Sequence, residues 1–134
     1  MKARSRLSRS SDFQRVYRQG SSTASRFLVL YYFRRSSETD DEGPRLGLSV
    51  SKKLGGAVVR NRIKRLLREA FRACDARLAK EFDYVVIARP QLLELVGDDR
   101  KGAVTQALVE LLEKASLLGP ADSSGPERAD RGAA

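Results

Sequence analysis

The sequence predicts one α+β or α/β domain in which helices pack against a single small sheet. Segments with helical apolar spacing alternate with short strand-like runs, in the order helix–strand–strand–helix–strand–helix. The chain has 134 residues, 41% of them hydrophobic, which suits one domain with one core. We therefore expect a folded domain over 1–118, followed by a disordered Gly-, Pro- and Ser-containing tail over 119–134.

The first two elements are a short helix and a strand. Ser11 and Gln14 have capping-box spacing, which predicts a helix that begins after Ser11 and stops at a left-handed Gly20. The aromatic and β-branched run 26–35 predicts a strand. Three residues of the helix would share one face: Phe13, Val16 and Tyr17.

A polar, acidic connection at 36–44 leads to a second strand over 45–52, in which two kinds of residue alternate. The apolar face carries Leu46, Leu48 and Val50. The opposite face carries Arg45, Gly47, Ser49 and Ser51. Because that second face is small and polar, a ligand backbone could approach the sheet closely there.

After Gly55 and Gly56, a long amphipathic helix is predicted over about 57–80. Its apolar stripe would be formed by Val59, Ile63, Leu66, Leu67, Ala70, Phe71, Cys74 and Leu78.

The continuous apolar run 84–88, ended by Pro90, predicts a buried central strand. Asp98 or Asp99 would then cap a last helix. The inner face of that helix would carry Val104, Ala107, Leu108, Leu111, Leu112 and Ala115.

The charge is strongly positive and unevenly distributed. The net charge is +9, with +8 over 1–35, −4 over 36–44, +9 over 45–80 and −4 over 81–134. Such separation predicts one side that faces a polyanion, and a pI near 10.2 indicates nucleic acid first. The chain has no histidine and one cysteine, which argues against an ordinary zinc site and removes the commonest general base. With no apolar leader or membrane-length run, we expect a cytoplasmic protein.

The sharpest feature is a row of bases on the long helix. Arg60, Lys64, Arg68 and Arg72 recur at i, i+4 spacing, where each like-charge pair costs roughly 0.2–0.5 kcal/mol. A solvated helix face is the simple alternative, but such a face would normally interleave acids, and Glu69 is the only acid between Arg45 and Phe71. A bound polyanion would turn the repulsion into phosphate contacts. These residues alone do not choose RNA over DNA.

The run 45–71, RLGLSVSKKLGGAVVRNRIKRLLREAF, resembles the bacterial ribonuclease P protein component family. Its Arg60-Asn61-Arg62 core matches that family's RNR signature, and 11–20 resembles the family's first helix. The resemblance covers about residues 5–117. It implies an α+β two-layer sandwich with a small mixed sheet and a left-handed β–α–β crossover, the ribosomal protein S5 domain 2-like fold.

The resemblance also implies a function. Ribonuclease P removes the 5′ leader of precursor tRNA, and its RNA subunit is the catalyst, with Mg²⁺ held by that RNA and the substrate. The protein would be an accessory RNA-binding subunit without an active site of its own. It would broaden the substrate range and lower the Mg²⁺ requirement, with the catalytic RNA and precursor tRNA as partners and no membrane or DNA.

Two surfaces are implied by the resemblance. The RNA subunit would be bound by Arg60, Asn61, Arg62, Lys64, Arg65 and Arg68. The single-stranded leader would be bound by Phe13, Tyr17, Tyr31, Lys52 and Lys53. Core packing is the competing explanation for the three aromatic residues. Among them, Tyr17 is the better ligand candidate because its hydroxyl favours contact with water. Two rival functions stay open: a ribosomal-type RNA-binding module, and a protein-only nuclease with a carboxylate metal site.

Overall fold

A computed structural model of the chain describes residues 9–35, 44–97 and 101–119. The helices are α1 (Ser10–Gln19), α2 (Ala57–Ala73), α3 (Leu93–Gly97) and α4 (Lys101–Lys114). The strands are β1 (Ser21–Ala24), β2 (Leu28–Arg34), β3 (Arg45–Ser49) and β4 (Phe82–Ala88). Short 3₁₀ turns occupy Lys52–Leu54, Asp75–Arg77 and Pro90–Leu92. Three predicted features lie outside the described residues: the cap residues Asp98 and Asp99, most of the acidic connection, and nearly all of the predicted tail.

The four strands form one mixed sheet in the order β1-β2-β4-β3. β2 pairs antiparallel with β1 and with β4, whereas β3 pairs parallel with β4. The chain therefore leaves β3, passes through α2 and returns as β4 in a β–α–β crossover. The predicted α+β class, the mixed sheet and the central position of the 84–88 strand are confirmed. The left-handedness of the crossover stays a prediction.

The main core lies between one face of the sheet and the helices α2 and α4. Alternate residues of the central strands, such as Leu30 and Tyr84, are fully buried in it. The Tyr84 ring packs edge-to-face against Phe71 at 5.3 Å between centroids, and its hydroxyl donates to the Ala79 carbonyl at 2.5 Å. The predicted α4 stripe is confirmed, with Ala115 only partly buried at its end.

The long predicted helix is shorter than expected. It ends at Ala73, and the chain turns through Asp75–Arg77 so that Leu78 is buried and forms an isolated bridge with Leu118. The other residues of the predicted stripe are buried, but Val59 is 37% exposed because it lies on the first turn, beside Gly55.

Helix α1 packs on the opposite face of the sheet. Val16 is fully buried there against Val85, and Phe33 and Ile87 pack around them. The two-layer description therefore holds for α2 and α4, and α1 adds a partial third layer. That face of the sheet is the one on which the alternation of β3 places Gly47 and the other small residues.

The start and end of α1 differ from the prediction. The helix begins at Ser10 with Arg9 at the N-cap position, and the Arg9 carbonyl accepts from the amides of Asp12 and Phe13 at 3.1 and 3.2 Å. No side chain caps it, so the capping box is wrong. Gly20 is extended, with φ −87°, and is not left-handed. A glycine is needed because a Cβ would collide with the Tyr32 carbonyl oxygen.

That close approach creates a strand that the sequence did not predict. Immediately after Gly20, Ser21 pairs with Tyr32 and the chain runs antiparallel to β2 through Ala24. The segment Ser21–Ala24 has no apolar alternation, because it is an exposed edge strand that contributes almost nothing to the core.

A buried ion cluster joins the start of β3 to the end of β2. Asp83 of β4 is 0% exposed. Arg45 donates two hydrogen bonds to the Asp83 carboxylate, from Nε at 2.9 Å and from Nη2 at 2.8 Å. Arg35, whose side chain is 2% exposed, donates to the same carboxylate at 3.2 Å and to the carbonyls of Phe82 and Lys80. The two residues that flank the acidic connection are thereby fixed to one carboxylate.

Candidate nucleic-acid interface

Helix α2 divides into a buried side and a basic side. Five residues face the core: Ile63, Leu66, Leu67, Ala70 and Phe71. The six residues predicted to bind an RNA subunit lie outside this stripe, and we call them the basic helix face: Arg60, Asn61, Arg62, Lys64, Arg65 and Arg68. Asn61 and Arg65 are exposed, and the other four are half-buried.

Helix α2 contains a single acid, Glu69, among these bases. The first turn of α2 holds no acid, and Gly56 at the N-cap position supplies no side chain. The Glu69 carboxylate lies 4.0 Å from Nε of Arg65. An exposed ion pair of this kind contributes about 0–1 kcal/mol to stability. Cations near the positive end of the helix dipole are unfavourable. The helix therefore carries an electrostatic cost that a polyanion would relieve.

Three aromatic side chains meet on the α1 face of the sheet. Phe13 and Tyr17, one helical turn apart, have ring centroids 6.3 Å apart. Tyr17 packs edge-to-face on Tyr31 of β2 at 4.9 Å, with the ring planes at 78°. Phe13 and Tyr31 are half-buried, whereas Tyr17 is 38% exposed. We call these three residues the aromatic patch. Core packing accounts for part of Phe13 and Tyr31, and Tyr17 offers the most open ring.

The Tyr17 hydroxyl is held next to Ser49, at the end of β3. Burial raises the pKa of Tyr17, the neighbouring Tyr31 raises it further, and the hydrogen bond with the Ser49 side chain opposes both. The phenol is therefore neutral throughout the physiological pH range. Ser49 was not predicted as a site residue, although strand alternation had already placed it on the small polar face.

The two predicted lysines follow Ser49 on a short turn, which we call the lysine turn (Lys52–Leu54). Lys52 and Lys53 are exposed, whereas Leu54 is buried and anchors the turn in the core. The Ser51 hydroxyl oxygen accepts the Lys53 amide at 3.1 Å. The turn lies in the chain between the aromatic patch's neighbour Ser49 and the start of α2, so it joins the two predicted surfaces.

One further cation lies at the same end of the sheet. Arg89 follows β4 directly, is exposed, and donates from Nη1 to the Ser25 carbonyl at 3.3 Å. Its amide donates to the Phe27 carbonyl at 3.0 Å, so the backbone ladder continues to it. Its position in the sequence, directly after the predicted central strand 84–88, is the signal that could have indicated it.

Within the three described ranges, no three His, Cys, Asp or Glu side chains lie close enough together to hold a metal ion. The helices in the same ranges include none with the length and apolar character needed to cross a bilayer.

This arrangement suits single-stranded and structured nucleic acid at once. Aromatic faces stack unpaired bases without regard to sequence, and nearby cations follow the phosphate backbone. A row of arginines on a helix matches phosphates with planar, bidentate hydrogen bonds. The aromatic patch and the lysine turn therefore suit unpaired bases and their backbone. The basic helix face suits the phosphates of a structured nucleic acid.

Comparison with known proteins shows the family of the chain. The family model described as Ribonuclease P matches residues 1–116. The chain is similar to the ribonuclease P protein component of Bacillus pumilus, with 42% identity over 87% of this chain and 92% of that protein. It is also similar to the ribonuclease P protein component of Clostridium novyi, with 38% identity over 87% of this chain and 98% of that protein.

Solved structures give the same result for the fold. The Staphylococcus aureus RNase P protein superposes with a TM-score of 0.75 at 37% identity, over 88% of this chain and all of that one. The Thermotoga maritima RNase P protein superposes with a TM-score of 0.72 at 32% identity, over 81% of this chain and 96% of that one.

Proposed function

The chain belongs to the ribonuclease P protein family, and on that premise we propose that it is the protein subunit of an RNA-based endonuclease that removes the 5′ leader from precursor tRNA. Its partners are the catalytic RNA of ribonuclease P and the precursor tRNA, and it works in the cytoplasm. The observation that carries this proposal is the basic helix face on α2, which lies wholly inside the matched range.

The basic helix face binds the RNA subunit. Its residues project from a helix whose other side is locked into the core by Ile63, Leu67 and Phe71. The cations are therefore presented on a rigid support, which reduces the entropy lost on binding. Phosphate contacts made by such a surface release counterions and make affinity steeply salt-dependent.

The aromatic patch and the lysine turn bind the single-stranded leader. Tyr17 supplies the most open ring, and Lys52 and Lys53 supply charge for the backbone. Stacking is sequence-tolerant because every base has a π face. A subunit that serves many precursor tRNAs needs that tolerance, and added leader affinity broadens the range of accepted substrates.

Mg²⁺ is held by the RNA subunit and the substrate, and the RNA performs the cleavage. The protein lowers the Mg²⁺ requirement because its cations replace part of the neutralisation that Mg²⁺ would otherwise supply to crowded phosphates.

The direct test is cleavage of a precursor tRNA at low Mg²⁺ by a bacterial ribonuclease P RNA, with and without this protein. We expect stoichiometric protein to restore accurate 5′ cleavage that the RNA alone performs poorly. Absence of rescue together with tight binding to ribosomal RNA would instead indicate a ribosomal-type binding module. Cleavage by the protein in the absence of RNA would indicate a protein-only nuclease.

Replacing Tyr17 by Ala is expected to reduce the preference of the holoenzyme for precursor over mature tRNA. Loss of one stacked base costs ~1–3 kcal/mol, about 5- to 150-fold in the affinity ratio. Dissociation constants for the two tRNAs, measured with the assembled holoenzyme, give the ratio. Tyr32→Ala is the matched control, because Tyr32 follows Tyr31 on β2 but packs against Phe82 on the opposite face of the sheet. An unchanged ratio in Tyr17→Ala would contradict the leader assignment.

A further inference from the structure

Gly55 connects the lysine turn to α2, and both its amide and its carbonyl form hydrogen bonds. The Gly55 amide donates to the Lys52 carbonyl at 3.2 Å and closes the turn. The Gly55 carbonyl accepts from Nε of Arg60 at 3.1 Å. One peptide residue therefore connects the exposed lysines to a guanidinium on the basic helix face.

The residues on either side of Gly55 are anchored, whereas Gly55 itself has a backbone conformation that only glycine adopts readily. Gly55 has φ 147°, a region that L side chains rarely adopt, and a Cβ there would lie 3.0 Å from the Val59 Cβ. Leu54 is buried on one side of it, and on the other side the Gly56 carbonyl accepts the Arg60 amide at 3.0 Å. Gly55 is thus a permissive link between two anchored neighbours, and the hydrogen bond from Arg60 holds its carbonyl in place.

Arg60 and Arg65, both on the basic helix face, make different contacts. It is half-buried, and its Nε points back to the turn. By contrast, Arg65 is exposed, and its Nε lies 4.0 Å from the carboxylate of Glu69 on the same helix. A guanidinium carries five donors in one rigid plane, so a group that uses Nε on a carbonyl presents its terminal nitrogens in a direction fixed by that bond.

We propose that Arg60 is a positioning residue that sets the orientation of the lysine turn and so couples docking of the RNA subunit to recognition of the leader. This inference rests on the proposed function, because it takes the basic helix face to bind the RNA subunit and Lys52 and Lys53 to bind the leader. A phosphate of the RNA subunit held by the terminal nitrogens fixes the guanidinium plane. The same plane then holds the Gly55 carbonyl, and the lysines are held with it.

The test separates the charge of Arg60 from its geometry. Arg60→Lys keeps the charge but loses the planar Nε–H that reaches Gly55. With the holoenzyme assembled at saturating protein, we expect Arg60→Lys to lower the precursor-over-mature affinity ratio roughly tenfold, as for a lost hydrogen bond to a charged group. Binding to the RNA subunit alone should change much less. Arg77→Lys is the matched control: Arg77 lies outside both surfaces, its Nε donates to the Gly119 carbonyl at 3.2 Å, and its substitution should leave the ratio unchanged.

A second variant reaches the same point without changing any cation. Gly55→Ala introduces a Cβ against Val59 and disfavours φ 147°, so it should lower the ratio as Arg60→Lys does. Thermal unfolding of the free protein checks that each variant is folded, and Arg60→Lys alone carries the test if Gly55→Ala is not.

A double-mutant cycle completes the test. Adding Arg60→Lys to a variant that lacks Lys52 and Lys53 should cause no further loss of the ratio, because the turn then has nothing to position. An independent, additive loss would overturn the coupling, as would a normal ratio in Arg60→Lys alone. If removal of both lysines leaves the ratio intact, the leader assignment itself fails, and that result is distinct from failure of the coupling.

Discussion

Replacing Asp83 by Asn is expected to lower the free energy of unfolding by about 3–5 kcal/mol, the cost of removing one partner from a buried ion cluster. The carboxylate is fully buried and is shared by Arg35 and Arg45, so the substitution leaves two guanidinium groups without their counter-charge. Asn has nearly the same volume, so no cavity contributes to the loss. For a domain stabilised by ~5–15 kcal/mol, this is a large fraction of the total.

Urea denaturation of the free protein followed by circular dichroism measures this loss as a shift in the midpoint at unchanged slope. Glu81→Gln is the matched control. Its carboxylate lies 3.8 Å from Arg34 in a surface pair whose side chains are 71% and 37% exposed, so the change should be within about 1 kcal/mol. If Asp83→Asn were as mild as Glu81→Gln, the buried cluster would not be a main support of the sheet.

Neutralising three cations of the basic helix face is expected to weaken assembly with the RNA subunit and to flatten its salt dependence. In the variant that replaces Lys64, Arg65 and Arg68 by Ala, each lost phosphate contact should reduce the slope of log K against log salt by roughly 0.7–0.9. Loss of three contacts should reduce the slope by about 2–3. Raising the salt from 50 to 200 mM should then weaken binding of the variant about 20- to 40-fold less than it weakens binding of the unmodified protein. Titration of the labelled RNA subunit at four salt concentrations measures this slope.

The matched control removes the same net charge elsewhere, by replacing Arg26, Arg34 and Lys80 with Ala. All three are exposed and lie outside α2. The control should lower affinity slightly through the net charge and leave most of the slope in place. Equal slopes in the two variants would mean that the RNA responds to overall charge, and the basic helix face would lose its assignment.

Patterning over whole elements predicted the fold well because burial decides it. The apolar run of β4, the stripe of α4 and most of the α2 stripe fall where the periodicity places them. The errors lie where backbone contacts decide. The Ser11 capping box fits the sequence rule, yet the helix begins one residue earlier, with Arg9 at the N-cap position and no side-chain cap. β1 is missed because an edge strand of small polar residues has no apolar signal.

The residue types of the candidate site could be predicted from the sequence, whereas the contacts between them could not. The charge on α2 and the aromatic residues of α1 and β2 can be recognised along the chain. The edge-to-face packing of Tyr17 on Tyr31 requires the pairing of strands and the seating of α1. The hydrogen bond from Arg60 to Gly55 spans five residues of sequence, but no pattern rule assigns an arginine at that spacing to a glycine carbonyl. Specific polar contacts of this kind appear only once the backbone is in place.

The parallel pairing of β3 with β4 has a consequence for how the protein is made. Arg45 and Asp83, which mark the start of that pairing, are 38 residues apart, so closure of the crossover is a non-local and slow step. On the ribosome, the cations of α2 emerge before the strand that will anchor β3, and their mutual repulsion opposes helix formation in that interval. Newly made RNA subunit, a polyanion, would relieve that repulsion early. We therefore expect refolding of the isolated protein to accelerate when its RNA is present from the start.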